Sequence, residues 1–383
     1  MQNAALRFLK ERCIFLDMKI GIPKEIKDKE NRVSLAPVGA KMLVKQKHAV
    51  IIEKNAGAGA GFEDTEYTAA GAKIGTASEV WNTDLVVKVK EPLLHEYHFL
   101  KGQMLFTYLH LAGVTKTLTD ALLETKTTGI AYETVEDEYK RLPLLAPMSA
   151  IAGNMAVHVG SYYLAKVNGG KGVLLGEALG NFYGKVVVIG DGVVGRHAAK
   201  TAYGMGASVY LFGRHEERMG HLRESIGRDA HILLSRPKDI AKEVKDADLI
   251  IGAVLVTGAK APYVVTKEMV KTMQKGSVIV DVSIDQGGCI ETSHPTKHSD
   301  PVFAQYGVTH YCVTNMPGAY PRTSTLALTS ATLPYVLKLA QKGIDALRED
   351  KNFCKGLNTY NGLLTYKPVA ESLEMMRQYQ EFA

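Results

Sequence analysis

The residues of this chain best suited to handling a small ligand fall in two kinds of segment. One is a glycine turn, Gly190-Asp191-Gly192-Val193-Val194-Gly195, which follows the β-branched run Val186–Ile189 and opens an alanine-rich amphipathic stretch. Strand, glycine turn and helix in this order form the entry to a dinucleotide-binding βαβ unit. Gly190 allows the tight turn, Gly192 lets the backbone approach a pyrophosphate, and Gly195 lets the helix pack close to the strand. The free amides at the helix N-terminus then face the phosphate. The other kind is a set of polar groups in strand-end loops, where open α/β sheets place ligands. These are Glu30-Asn31-Arg32, Lys88-Val89-Lys90-Glu91-Pro92, His110, Asp281 with Asp285, and Asn315. Taken alone they are ambiguous. On its own Arg32 reads more readily as half of a surface salt bridge, Lys90 as a solvated strand end, and His110 as a satisfied core histidine.

The elements that must position these groups alternate between strand and helix, an α/β pattern. Before the glycine turn, strands are expected at Lys19–Ile22, Val50–Glu53, Leu85–Val89, Met104–Thr107 and Gly129–Tyr132. Helices are expected at Pro37–Lys47, Thr65–Ala70, Ser78–Trp81 and Lys116–Glu124. The segment Asn55–Phe62, NAGAGAGF, reads as a mobile loop rather than a second nucleotide site, because an acidic turn and not an apolar helix follows it. A long helix over Pro147–Asn168 leads to a second set of strands at Val186–Ile189, Ser208–Phe212, His231–Leu234, Leu249–Gly252, Val278–Val282 and His310–Val313. A helix over Pro321–Lys342 leads back, and a last one is expected at Val369–Gln380. The chain thus leaves one domain, builds another and returns. Residues 18–143 with 323–383 form the first, and 144–322 form the dinucleotide-binding domain.

The 383 residues suit two domains rather than one core. The net charge of +6 is spread without a block of like charge, which points to no nucleic-acid partner. No apolar run approaches the length of a membrane span. Cys13, Cys289, Cys312 and Cys354 are scattered. They show neither a zinc spacing nor a disulfide framework, which fits a reducing cytoplasm and no metal.

The segments GIPKE, ENRVSLAP, VKVKEP, LFTYLHLAG, AYETVE, PLLAPMS, IGAVLVTGAKAP, DVSIDQGGC and NMPGAYPRTSTLALT occur in this order. With them the sequence from Met18 onward resembles the family that groups alanine dehydrogenase with the nicotinamide-binding part of transhydrogenase. The resemblance implies two Rossmann-like domains, a discontinuous N-terminal substrate domain and a doubly wound dinucleotide-binding domain. It also implies an NAD-dependent oxidation of L-alanine and water to pyruvate and ammonium, in a cytoplasmic homohexamer. Arg32 and Lys90 match carboxylate binders; an Arg can grip a carboxylate bidentately and a Lys adds a second charge. His110 matches a catalytic histidine, suited to relaying a proton near neutral pH. Asp285 matches a catalytic aspartate that holds the substrate ammonium or polarises water, whereas Asp281 reads as structural. Met148 and Asn315 match further substrate contacts. Ser149, Val193, Ser235, Val254, Leu255, Val282, Ile284, Asp285, Asn315 and Met316 match positions around the dinucleotide, for which ordinary strand-end packing is the rival reading. Rival functions are an opine-type or other amino-acid dehydrogenase, a soluble transhydrogenase subunit, and a nucleotide sensor without turnover.

One departure bears on cofactor choice. The second strand of a Rossmann unit usually ends in an acid that binds the adenosine ribose of NAD. Here that position is Gly213, followed by Arg214, with Arg218 a turn later. His294 stands where the family often has Arg. These features lead to the expectation that NADP is accepted beside NAD. The first 17 residues carry no targeting pattern. Deleting them is expected to leave turnover and melting temperature unchanged, and a collapse of either would show them to be part of the fold.

Overall fold

A computed structural model describes residues 17–113, 116–256 and 261–382. The expectations for residues 1–16, and the part of the IGAVLVTGAKAP segment at 257–260, lie outside them. The described residues divide into two compact units, one of 17–27, 31–144 and 325–382, the other of 28–30 and 145–324.

The first unit is built on six parallel strands: β1 (Lys19–Ile22), β2 (Ala49–Glu53), β3 (Lys73–Gly75), β4 (Leu85–Val87), β5 (Met104–Thr107) and β6 (Thr128–Ala131). Their order across the sheet is β3-β2-β1-β4-β5-β6. Ile20 pairs with Val50 on one side and Leu85 on the other, so the order reverses at β1. β1 and β4 are apolar and buried, as strands covered on both faces must be.

In the second unit a hairpin of β7 (Gly176–Ala178) and β8 (Asn181–Tyr183) precedes a seven-stranded sheet. That sheet contains β9 (Lys185–Ile189), β10 (Ser208–Gly213), β11 (His231–Leu234), β12 (Leu249–Gly252), β13 (Val278–Asp281), β14 (Val302–Gln305) and β15 (Val308–Tyr311). Its order is β11-β10-β9-β12-β13-β15-β14, with only β14 antiparallel. Successive residues serve opposite faces, as strand geometry requires. Val186, Val188, Leu249 and Ile251 enter one core, and Val187, Ile189 and Ile250 the other. The helix Ala146–Leu164 packs on the helix Val193–Gly204 at Gly153, where a Cβ would come within 2.3 Å of the Val194 carbonyl oxygen.

Three expectations are corrected. The C-terminal helix is not continuous over Val369–Gln380. It spans Lys367–Ser372, Glu374 takes φ 56°, and only a short 3₁₀ turn at Met376–Gln378 follows. To the stretch before it the sequence assigns no strand, yet two are present. β16 (Leu357–Tyr360) and β17 (Leu363–Leu364) extend the first sheet beyond β6, antiparallel. Their turn is Asn361-Gly362, at φ 50° and 81°, the dipeptide that two-residue hairpins favour. The glycine-rich segment after β2 is a packed turn rather than a mobile loop. It contains the 3₁₀ turn Ala58–Ala60, and Ala56, Ala60 and Phe62 are buried. The helix expected over Pro147–Asn168 ends at Leu164 and passes into a 3₁₀ turn at Lys166–Asn168.

The tightest backbone approach is at the glycine turn after β9. A Cβ on Gly195 would stand 1.8 Å from the carbonyl oxygen of Gly190, a backbone atom that cannot swing aside. Gly195→Ala is therefore expected to cost about 3 kcal/mol, the upper range for overpacking. A thermal melt indistinguishable from that of the unmodified protein would refute this.

Candidate active site

In the first unit, the strand order reverses between β1 and β4, and a crevice forms beyond the C-terminal ends of strands at such a point. The loops that leave β1, β4 and β5 carry Arg32, Lys90 and His110. Arg32 is 2% exposed, so it is no surface salt-bridge partner. Its segment is tied down on both sides. Ser34 Oγ donates to the Val87 carbonyl at 2.6 Å, and the Val33 and Ala36 amides donate to Thr325 and Thr329 hydroxyls at 3.1 and 2.8 Å.

Lys90 is half-buried, and its backbone is set by a residue on another loop. Glu25 Oε1 accepts from the Val89 and Lys90 amides at 2.7 and 3.3 Å, and the Lys90 carbonyl accepts from Thr107 Oγ1 at 2.9 Å. The other oxygen of Glu25 meets the ammonium of Lys88 at 3.2 Å, and Glu96 meets the same ammonium at 2.8 Å. Lys88 is wholly buried. Burial works against its charge, but the two carboxylates outweigh burial and hold its pKa above the ordinary lysine range. Lys88 thus fixes Glu25, and Glu25 fixes the loop that presents Lys90.

His110 lies past the end of β5 with φ 48°, a conformation uncommon for a non-glycine residue. Glu133, after β6, holds it there: Oε1 accepts the His110 amide at 2.6 Å and stands 3.8 Å from Nδ1. The imidazole stacks on Tyr108, with ring planes 5° apart and centroids separated by 5.7 Å. The side chain remains 42% exposed, so it is not the satisfied core histidine that is the bland reading. The Tyr108 hydroxyl donates to the Leu144 carbonyl at 2.7 Å. Burial raises this phenol well above its usual pKa, with the Arg32 charge acting in the opposite sense.

In the second unit the order reverses between β9 and β12, and the glycine turn sits there. Gly190 has φ 115°, and a Cβ on it would lie 2.4 Å from the Ala253 carbonyl oxygen and 3.2 Å from the Val254 nitrogen. Gly192 differs: a Cβ there would meet nothing within 4 Å. The protein itself does not require that glycine. The open face this leaves, at the N-terminus of the helix Val193–Gly204, gives a ligand's phosphates room to approach the backbone. This is the cradle a pyrophosphate fits. Val193 is half-buried in the first turn. Gly213 ends β10 beside it, and its carbonyl accepts the Ser235 amide at 2.8 Å. The Val254 amide donates to Ser283 Oγ at 2.9 Å.

Asp281 is buried at the end of β13 and accepts the Ser283, Cys289 and Ile290 amides at 3.1, 3.1 and 3.2 Å. Burial raises it above the usual carboxylate range despite these donors. Burial and the Asp281 carboxylate push the Cys289 thiol up to about 12. Asp281 therefore shapes the turn Val282–Gln286, from which Asp285 projects, exposed. Asp285 Oδ1 accepts the Asn315 amide at 3.3 Å, and the Asn315 side chain donates to Glu30 Oε2 at 2.9 Å.

The remaining sequence candidates divide by burial. Ile284 and Met316 are each 3% exposed, and Met316 packs in the core with Ala152 and Met155. Val282 is half-buried against the same core. Leu255, Arg214 and Arg218 are exposed. Met148 is buried and Ser149 half-buried in the first turn of the helix Ala146–Leu164. His294 stacks on Phe303 at 3.6 Å, and Phe303 on His310. Sequence reasoning missed Glu25, Glu96, Glu133 and Tyr108. Glu25, Glu133 and Tyr108 lie inside segments that carry the family resemblance, but nothing in their spacing marks them as partners of Lys88 or His110.

Two doubly wound sheets, one with an Arg-Lys-His edge and one with a glycine-loop cradle, define a dinucleotide-dependent two-unit protein. The family described as "Alanine dehydrogenase/PNT, N-terminal domain" matches residues 21–152, and "Alanine dehydrogenase/PNT, C-terminal domain" matches 156–367. The chain belongs to this family. It is 53% identical over 362 residues to an alanine dehydrogenase of Staphylococcus saprophyticus subsp. saprophyticus, covering 94% of this chain and 97% of the relative. Among solved structures, an L-alanine dehydrogenase superposes with TM-score 0.90 at 49% identity, covering 93% of this chain and 99% of the other. A transhydrogenase from Sinorhizobium meliloti shares the fold, with TM-score 0.79 at 24% identity over 90% of this chain and 99% of the other.

Replacing Lys88 takes a positive charge away from two buried carboxylates, Glu25 and Glu96. Lys88→Met is expected to destabilise the protein by about 3–5 kcal/mol. Adding Glu25→Gln and Glu96→Gln should recover part of the loss, and denaturant unfolding of both variants checks it. Equal stability of Lys88→Met and the unmodified chain would sink the triad's structural role.

Proposed function

We propose that this protein is an NAD-dependent L-alanine dehydrogenase. It interconverts L-alanine, water and NAD+ with pyruvate, ammonium, NADH and a proton. Kinship to relatives bearing that name supports the reading. The observation that carries it is that Arg32, Lys90 and His110 emerge from neighbouring loops at one strand-order reversal, each held by backbone or side-chain contacts. In this proposal residues 18–143 and 323–383 bind the amino acid, and 144–322 bind the dinucleotide.

Arg32 and Lys90 take the substrate carboxylate, Arg32 as a fork and Lys90 as a point charge. Met148 and Asn315 line the substrate. Bound NAD supplies the hydride acceptor, and the protein orients Cα toward it. Asp285 holds the ammonium, or polarises the water that attacks iminopyruvate. His110 moves the proton at its exposed imidazole, with Glu133 keeping the residue in its strained backbone conformation. Gly190, Gly192, Val193 and Gly195 cradle the pyrophosphate. Ser149, Gly213, Ser235, Val254, Leu255, Val282, Ile284 and Met316 surround the rest, with Arg214 and Arg218 near the ribose. Gly213 and Arg214 by themselves would admit NADP beside NAD. A cytoplasmic homohexamer belongs to the same proposal and is checked by solution mass.

The direct test is alanine-dependent reduction of NAD by the purified chain, and its absence would overturn the reading. His110→Ala and Asp285→Asn should each lower kcat at least about 100-fold, the low end for a general acid–base group. Arg32→Ala should act mainly on KM for alanine and pyruvate, because its contact exists in ground and transition states alike. Near-unchanged rates in the His110 variant would exclude it as the proton carrier.

A further inference from the structure

The strand-end carboxylate is missing from the sequence of β10, but a carboxylate is present at that place in the structure. A Cβ built on Gly213 would stand 2.9 Å from Cγ of Asp191, 3.0 Å from its Cβ and 3.0 Å from Oδ2. Asp191 is the second residue of the glycine turn, so its side chain crosses from the end of β9 to the neighbouring end of β10. It fills the space that a side chain at 213 would need. Gly213 is therefore glycine because Asp191 lies over it.

A second observation shows what the carboxylate lacks. Asp191 Oδ2 is shielded from water and has no hydrogen-bond partner among the described residues. A buried carboxylate oxygen without a donor is costly and calls for an explanation, and a donor on a bound ligand is one. In a dinucleotide fold, the donors presented at the end of the second strand are the hydroxyls of the adenosine ribose.

We infer that Asp191 takes over the role of the absent strand-end acid: reaching over Gly213, it accepts the adenosine ribose hydroxyls and makes the enzyme selective for NAD. The inference rests on the dinucleotide-dependent reading above and reverses the sequence-based expectation that NADP is accepted. That expectation counted the carboxylate at position 213 only. A 2′-phosphate would remove one donor and bring further negative charge against Asp191 in a partly buried setting. Arg214 and Arg218 are exposed, where solvent screens their attraction for that phosphate.

The test is titration of NADH and NADPH into the unmodified protein, Asp191→Asn, Gly213→Asp, and the double variant Asp191→Ala/Gly213→Asp, followed by nicotinamide fluorescence. The unmodified protein should bind NADH at least about tenfold more tightly than NADPH, the worth of one charge-assisted hydrogen bond. Asp191→Asn should lose about tenfold in NADH affinity and bring the two within a few-fold. Gly213→Asp alone should weaken NADH, since two carboxylates then compete for one space, and the double variant should restore it. If the unmodified protein binds both equally, or if Asp191→Asn leaves the ratio unchanged, the inference fails while the dinucleotide reading stands. If the unmodified protein binds neither, both fail.

Discussion

The candidate active site depends on one buried cation. Lys88 is enclosed between Glu25 and Glu96, and the carboxylate of Glu25 is shared between that ammonium and the amides of Val89 and Lys90. Burying three ionised groups is expensive, and their mutual attraction offsets the cost only when the geometry is well satisfied. What the arrangement supplies is position. A lysine that binds a small anion must point the right way before the anion arrives, and a strand-end loop does not do this unaided. Here the loop's amides are anchored to a carboxylate that cannot move without giving up its contact with Lys88.

The two units solve the same problem with the same strand order. Counting parallel strands only, in each the third, second and first lie on one side and the fourth, fifth and sixth on the other, while the antiparallel strands β14, β16 and β17 extend the far edges. The break between the first and fourth strands leaves the loops after them uncrossed by a helix, so polar side chains can gather there. One unit uses the place for charged side chains and the other for bare backbone. His110 and Asn315 both hold left-handed backbone conformations at these loop ends. Each is pinned by a carboxylate that accepts its amide, His110 by Glu133 and Asn315 by Asp285.

Much of this architecture is legible in the sequence, because buried parallel strands are written as uninterrupted apolar runs. β1, β5, β11 and β12 are found at their expected bounds for that reason. β16 and β17 are harder: their threonine-rich run pairs with β6 across more than two hundred residues of chain, through Thr359 and the Gly129 amide. The Asn361-Gly362 turn was a local signal for them. The glycine loop and the strand-end polar residues are legible by type and position. The groups that hold them are not. Glu25, Glu96 and Glu133 look like ordinary surface acids, and only folding shows two of them buried and the third aimed at His110. Asp191 lies inside the glycine motif at a position whose side chain the motif leaves free, and the strand-end rule points one strand away, to Gly213.

The chain has a single tryptophan, and it lies beside the buried cation. Trp81 is 2% exposed, stacks on Phe99 with planes 10° apart, and has the Lys88 ammonium 5.6 Å from its ring. Its emission is therefore an optical gauge of one unit only. Excitation at the long-wavelength edge of the tryptophan band would follow the loosening of the Lys88 enclosure, while the nucleotide unit, which has no tryptophan, would stay dark to the same light. A tryptophan melt reads one unit and a calorimetric melt reads both, so comparing their midpoints measures whether the two unfold together.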